Sequence, residues 1–254
     1  MLSHNQIKLL SALSVKKYRQ NYRKFIVEGE KMTLELLSQS RFQISSIYAT
    51  ERWLMDNAAH TTAFSGEIIQ VTAADLKKVS SLTTPQEVFA VVHVPSAAEI
   101  TALNKGFHFF LDGIRDPGNM GTILRVADWF GFPSVFCSPD CVDVYSPKVI
   151  QASMGAFIRV RSLEAELQTL LGNAPDTPVI GAVMDGRNLF EGGWPFGGVV
   201  VIGNEGQGIR PAVMDRLTHR LTIPRDPAGG AESLNASVAA GIIAAFLKNL
   251  GQGG

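Results

Sequence analysis

Short apolar runs of strand length alternate with helix-length stretches through most of the chain, and this alternation limits the fold more than any other feature. Strands are expected at 25–28, 44–49, 68–71 and 88–94, with helices at 31–37, 52–59 and 74–79. After a stretch at 96–106 without strong periodicity, the pattern restarts. Strands are then expected at 107–111, 134–137, 157–160, 179–183, 199–202 and 221–223, and helices at 121–130, 148–153, 163–171, 211–217 and 235–250. Gly131 stands where a left-handed residue would close the helix at 121–130. Such alternation gives mostly parallel sheets covered on both faces, so the fold class is α/β. The break at 96–106 reads as a linker between a smaller domain at 1–95 and a larger one at 107–254.

Composition narrows the function classes. With 46% hydrophobic and 18% charged residues in 254, the chain has enough apolar material for a sizeable core and is not globally disordered. Its longest apolar stretch, 238–247, is about half the ~20 residues of a bilayer span. Cys137 and Cys141 form one C-x3-C pair with no second pair, and the five histidines are scattered, so no structural zinc set is expected. The two thiols read as buried and inert, and no G-x-S-x-G elbow is present. The first residues, MLSHNQIKLL, lack the apolar stretch of a signal peptide. A reducing compartment, the cytoplasm, is the expected location.

Charge balances in total, 23 basic against 23 acidic, but not along the chain. Residues 1–95 carry 11 basic and 8 acidic groups, and Lys8, Lys16, Lys17, Arg19, Arg23 and Lys24 all precede the first carboxylate, Glu28. Tyr18 and Tyr22 stand among them. Cations interleaved with aromatics suit a polyanion whose bases stack, and they equally suit a solvated helix face.

Three segments break the regular pattern, each after an expected strand. The first is Asp112-Gly-Ile-Arg-Asp-Pro-Gly-Asn-Met-Gly-Thr-Ile-Leu-Arg125. Loops at the carboxyl ends of parallel strands are where α/β sheets bind ligands. Asn119 there is a candidate helix cap and Arg125 a candidate surface ion-pair partner, or both serve a site. The second segment, Val199-Val-Val-Ile-Gly-Asn-Glu-Gly-Gln-Gly-Ile209, runs from a fully apolar strand into glycines around Asn204 and Glu205. Its glycine order is neither that of a dinucleotide fingerprint nor that of a P-loop. A plain tight turn leaves its central carboxylate unexplained. The third, from Ile223 to Ile242, contains Glu232-Ser-Leu-Asn235 and then an unusually small-residue helix start; Ser233 or Asn235 is expected to cap it.

Together, the Asn119-x-Gly-x3-Arg125 stretch after the Asp-Pro-Gly loop, the strand ending in GNEGQG, and IP…ESLN before the last helix resemble the three motifs of the SpoU (TrmH-like) family of RNA ribose 2′-O-methyltransferases. The resemblance covers residue 107 to the end of the chain. Phe25-Ile-Val-Glu-Gly-Glu-Lys31 and Thr84-Pro-Gln-Glu-Val-Phe-Ala-Val-Val92 resemble, more weakly, the substrate-binding domain that many members carry in front.

The resemblance implies a SPOUT fold, a parallel α/β sheet whose C-terminal segment threads a deep trefoil knot, which no pattern in the sequence would suggest by itself. It implies a homodimer with the active site near the subunit interface, S-adenosylmethionine as methyl donor, RNA as partner and no metal. Carried over by motif, the catalytic set is Arg125, Asn119, Glu205, Ser233 and Asn235. The cofactor contacts are Ala182, Met184, Asp185, Gly203, Asn204, Gly208, Ile223 and Leu234. For the front domain, Lys16, Lys17, Arg19, Arg23 and Lys24 are the expected RNA contacts. Ribosomal RNA is the expected substrate; a transfer-RNA ribose methyltransferase, a base methyltransferase of the same superfamily and a non-catalytic ribosome-assembly factor are the other readings. The stretch Arg225 to Ala231 is longer than its counterpart in many members, which leaves the shape of the third loop open.

Overall fold

The computed structural model describes residues 1–95, 103, 106–172 and 174–250. Most of the expected linker, 96–102 and 104–105, lies outside them. The chain divides into two compact units, Met1–Ser96 with Tyr145–Ile158, and Ala97–Val144 with Arg159–Gly254.

The first unit opens with α1 (His4–Ala12) and α2 (Lys16–Tyr22), neither of which the strand–helix pattern anticipated. Ser3 starts α1 through a capping box with Gln6, an S-x-x-Q signature that the sequence does carry. Then come β1 (Lys24–Glu28), α3 (Glu30–Leu37), β2 (Ile44–Ala49), α4 (Glu51–Asp56), α5 (Ala58–Thr61), β3 (Glu67–Gln70), α6 (Ala73–Val79) and β4 (Val88–His93). The sheet order is β1-β4-β2-β3. β4 lies antiparallel to both β1 and β2, and only β2 and β3 are parallel, so this sheet is not the mostly parallel one expected. Its apolar cluster joins Leu2, Leu10 and Leu13 to Tyr48, Phe89 and Val91, which docks α1 on the sheet.

Tyr145–Ile158 belongs to this unit although its sequence lies inside the expected 107–254 domain. Phe25 stacks on Tyr145 at 4.6 Å, and Phe42 meets Phe157 edge-on at 5.7 Å. These contacts account for the assignment, since aromatic burial dominates local packing energy. The segment forms α8 (Pro147–Ser153) and the short α9 (Ala156–Arg159), where a strand at 157–160 was expected. Met154 and Gly155 both take positive φ between the two helices. A four-residue apolar run is ambiguous by periodicity alone, and here the helical reading won.

The second unit is a six-stranded, wholly parallel sheet. Its elements are β5 (Phe107–Asp112), α7 (Pro117–Phe130), β6 (Ser134–Cys137), β7 (Arg161–Glu164), α10 (Leu167–Gly172), β8 (Val179–Asn188), β9 (Gly198–Gly203), α11 (Pro211–Met214), β10 (His219–Thr222) and α12 (Ala236–Leu250). The order is β10-β8-β9-β5-β6-β7. Every residue of β5 is buried, as a central strand covered on both faces requires. Helices α7 and α12 pack together, with Gly121 and Ala127 of one and Ala240 and Ala244 of the other buried. Cys137 and Cys141 are buried free thiols. Among the described residues no helix is long and apolar enough to cross a membrane, and no group of three His, Cys, Asp or Glu side chains is placed to hold a metal ion.

Candidate active site

Three loops leave the carboxyl ends of β5, β9 and β10, and each of the unusual sequence segments forms one of them. In the first, Asp116 caps α7 by accepting from the Asn119 N–H at 2.8 Å, and Pro117 takes the first helical position. The helix therefore starts earlier than the expected residue 121, and the capping role assigned to Asn119 belongs to Asp116. That leaves the Asn119 side chain free for other work. Its Nδ2 donates to Glu205 Oε1, and its Oδ1 accepts from Asn235 Nδ2 at 2.9 Å.

Asn235 is the cap of α12. Its Oδ1 accepts from Ser237 N–H at 2.9 Å, Ser237 Oγ at 2.6 Å and Val238 N–H at 3.3 Å. One asparagine thus closes the last helix with its oxygen and grips Asn119 with its nitrogen. Three expected catalytic residues, from two loops and the first turn of α7, form one hydrogen-bonded chain, Asn235 to Asn119 to Glu205.

The second loop is organised by Asn204. Its backbone exchanges hydrogen bonds with Gly208, N–H to O at 3.1 Å and O to N–H at 2.8 Å. Its Oδ1 accepts from the N–H groups of Gly206 and Gln207, and its Nδ2 reaches the Gly113 carbonyl at 2.8 Å. Gly203 has to be glycine: a Cβ there would stand 2.5 Å from the Gly208 carbonyl carbon. Gly208 has φ +68°, the left-handed region.

Beside this loop the sheet opens. β10 pairs with Gly181 of β8 through Arg220, and the next pair is Leu221 with Arg187. Residues 182–186 therefore leave the ladder. The first three of them, 182–184, form one wall of a cavity of about 330 Å³, a size usual for small-molecule sites. Ala182, Met184, Gly203, Asn204, Gly208, Ile223 and Leu234, all expected cofactor contacts, line it. The remaining one, Asp185, does not; its carboxylate pairs with Arg220 at 3.0 Å instead. Glu205 and Ser233 face the same cavity, so the hydrogen-bonded trio reaches it through Glu205.

Arg125 is the exception within the catalytic set. It lies six residues beyond Asn119, about 9 Å along the helix axis. It is exposed and has no hydrogen bond or ion pair among the described residues. The expected RNA contacts also divide. Arg19 is 3% exposed, and its guanidinium donates to the Leu13 and Ser14 carbonyls at 2.9 and 2.8 Å. It closes the turn between α1 and α2, and this burial removes it from the surface set. Lys24 is half-buried, with Nζ donating to Ser45 Oγ at 2.9 Å. Lys16, Lys17 and Arg23 remain exposed, next to Tyr18 and Tyr22, whose rings stack at 6.3 Å.

Sequence reasoning passed over the pair Asp112 and Arg210, whose side chains meet at 2.6 Å. Both were visible as a charge at the end of a strand and a charge after a glycine loop. Nothing in the order of residues says that β5 and β9 are neighbours.

Residues 106–245 match the model of the SpoU rRNA methylase family, and residues 4–90 match the MRM3-like substrate binding domain. A putative RNA methyltransferase of the TrmH family from Porphyromonas gingivalis is 39% identical, superimposes with a TM-score of 0.86, and matches over 98% of this chain and 99% of that one. The 23S rRNA (guanosine(2553)-2′-O)-methyltransferase RlmP of Bacillus subtilis is 26% identical over 96% of each chain. The AdoMet-bound rRNA methyltransferase from Sinorhizobium meliloti, 24% identical with 98% and 96% covered, shares the fold at a TM-score of 0.87. A family model spanning more than half of the sequence, together with a 39% identical relative matched end to end, places the chain: it belongs to the SpoU rRNA methylase family, whose members are RNA methyltransferases.

Proposed function

We propose that the chain methylates a ribose 2′-hydroxyl of ribosomal RNA, with S-adenosylmethionine as donor bound in the cavity beside the Gly203–Gly208 loop. The observation that carries the reading is the Asn235–Asn119–Glu205 chain, which ties two residues 116 positions apart to Glu205 in the cavity lining. The lining suits the cofactor. Ile202, Leu221 and Ile223 offer apolar surface for a flat base. Glu205 and Glu232 supply negative charge for a sulfonium, and Arg225 supplies positive charge for an amino-acid carboxylate. Ala182, Met184, Gly203, Gly208 and Leu234 would hold the group, and Asn204 would shape the loop that holds it. When bound, S-adenosylmethionine supplies an electrophilic methyl group, so the chain need not generate one.

The chain's own work is orientation and charge. A guanidinium offers donors only, so Arg125 serves as a clamp on an RNA phosphate and on the charge that grows on the 2′-oxygen. The 2′ proton passes to phosphate or water. Glu205, fixed by Asn119, orients the hydroxyl, and Ser233, which lines the same cavity, contacts the ribose. A homodimer completes this scheme. Trp129, one turn beyond Arg125 on α7, is 85% exposed, as expected of a surface that a second copy covers. In this scheme the last segment threads the trefoil knot that the resemblance implies. The first unit presents RNA through Lys16, Lys17 and Arg23, and the protein works in the cytoplasm.

Methyl transfer from labelled S-adenosylmethionine to ribosomal RNA, followed by alkaline digestion, tests the reading. The label is expected in an alkali-resistant dinucleotide. Label on a base, on transfer RNA alone, or on nothing would favour one of the other readings.

A further inference from the structure

Asp112 and Arg210 lie outside the cavity and outside the trio, yet the first two loops of the site are tied to them. Asp112 is the last residue of β5 and fully buried. On the neighbouring strand β9 it stands opposite Gly203, where the second loop leaves the sheet. The same loop returns to Asp112 at Arg210, whose N–H donates to Oδ2 at 2.7 Å and whose Nε donates to Oδ1 at 2.6 Å. The loop thus begins beside Asp112 in the sheet and ends on its carboxylate.

A second strap runs through the first loop. Asn204 Nδ2 holds the Gly113 carbonyl, and the Gly113 N–H donates to Ser138 Oγ at 2.9 Å. Ser138 Oγ donates to Asp140 Oδ1 at 2.7 Å, and Asp140 faces Arg210 Nη1 at 3.8 Å. Glu166 adds a third carboxylate to Arg210 at 3.4 Å. The ring runs Asp112, Arg210, Asp140, Ser138, Gly113, Asn204 and back along the loop. Burial opposes the Arg210 cation, but the Asp112 bonds and the surrounding carboxylates hold its pKa above the ordinary value. The Ser138 hydroxyl, aided by Arg210 and Arg115, holds the Asp140 carboxyl below its ordinary value. Both charges persist across the neutral range.

We propose that Asp112 and Arg210 are positioning residues: their clasp, buried on the Asp112 side, fixes the Gly203–Gly208 loop against the start of α7, so that the cavity wall and Glu205 are set together. The role in catalysis rests on the function proposed above, whereas the clasp itself is a property of the free protein. Asp112 touches neither cavity nor trio, so its effect travels through the loop, as outer-shell groups do at metal sites.

Amide exchange of Gly206 and Gln207 in the free protein reads the clasp directly, because both N–H groups bond to Asn204 Oδ1. In Arg210→Ala these two amides are expected to exchange at least ~10-fold faster, while β5 and β9 amides hold their protection. The KM for S-adenosylmethionine is expected to rise by ~10- to 100-fold, with a smaller fall in kcat. Arg210→Lys, which keeps charge but loses the fork, should recover part of both. Glu166→Gln, at the most exposed partner, should leave both within about twofold. Unchanged loop exchange in a folded Arg210→Ala, or equal acceleration throughout the sheet, overturns the proposal. Should Arg210→Ala fail to fold, the same amides in Arg210→Lys decide by the same criterion. A wild-type protein that binds no S-adenosylmethionine would sink the proposed function and leave the exchange result standing.

Discussion

The cations of the first unit and the polar residues of the second were singled out by the same kind of reasoning, and the structure treats them differently. In the second unit, Asn119, Glu205 and Asn235 come from two loops and the first turn of α7 and end in one hydrogen-bonded chain. In the first unit, six basic residues lie close in sequence, and burial takes one of them out of use. Arg19 was the central residue of that run, and it is spent on two backbone carbonyls. A motif made of specific residue types at fixed spacing survives folding better than a charge count. Each member of a motif has a distinct geometric task, whereas any member of a charge run can be diverted to a local one.

The hardest test of the second unit is Arg125→Ala. Loss of a donor aimed at developing charge lowers turnover by about 10²- to 10³-fold. Because Arg125 lines no part of the cavity, affinity for S-adenosylmethionine should stay within about twofold. Single-turnover methyl transfer and a binding titration read the two quantities separately. Equal loss of both would mean that the trio and the cavity are not a self-contained cofactor site.

Arg19→Ala probes the other side of the comparison. It leaves the Leu13 and Ser14 carbonyls without their shared donor, at a cost of about 1–3 kcal/mol in folding stability. Thermal unfolding of the isolated chain measures it. The expected signature is a lowered midpoint with no change in the salt dependence of RNA binding. A reduced salt slope at unchanged stability would return Arg19 to the RNA surface.

Lys17→Glu combined with Arg23→Glu takes charge from the exposed face of the run. Each lost phosphate contact flattens the dependence of log affinity on log salt by about 0.7 to 0.9. The slope should therefore fall by nearly twice that, while cofactor binding is untouched. Tyr18→Ala with Tyr22→Ala should weaken single-stranded RNA by roughly 1–3 kcal/mol for each stacked base, without changing the slope.

What was legible in the sequence follows the same division. The strands at 107–111 and 199–202 and the glycine loop after them were readable because full burial on both faces leaves a nearly continuous apolar run, interrupted only by His108. The cavity was readable only through the resemblance, since its wall at 182–184 lies at a register jump between β8 and β10 that no local pattern records. The helix at 117–130 was misplaced at its start because Asn119 and Asp116 are both good caps, and Pro117 at the first helical position settles the choice. The assignment of Tyr145–Ile158 to the first unit depends on Phe25 and Phe42, more than 100 residues away in sequence. Asp112 and Arg210 stayed hidden for the same reason: strand order is a long-range property.

Lys24 gives the smallest expected effect and the finest test of the comparison. It lies in the same run as Lys17 and Arg23 and carries the same charge, so a pure charge count predicts equal losses for all three. The structure instead holds its ammonium on Ser45 Oγ, half-buried at the start of β1. Lys24→Ala should leave RNA affinity within about twofold at all salt concentrations, with a stability loss of roughly 0.5–1.5 kcal/mol from the missing hydrogen bond. A loss of RNA affinity matching that of Lys17→Glu would show that RNA draws Lys24 away from Ser45. The run would then act through its total charge, and the contrast between the two units would disappear.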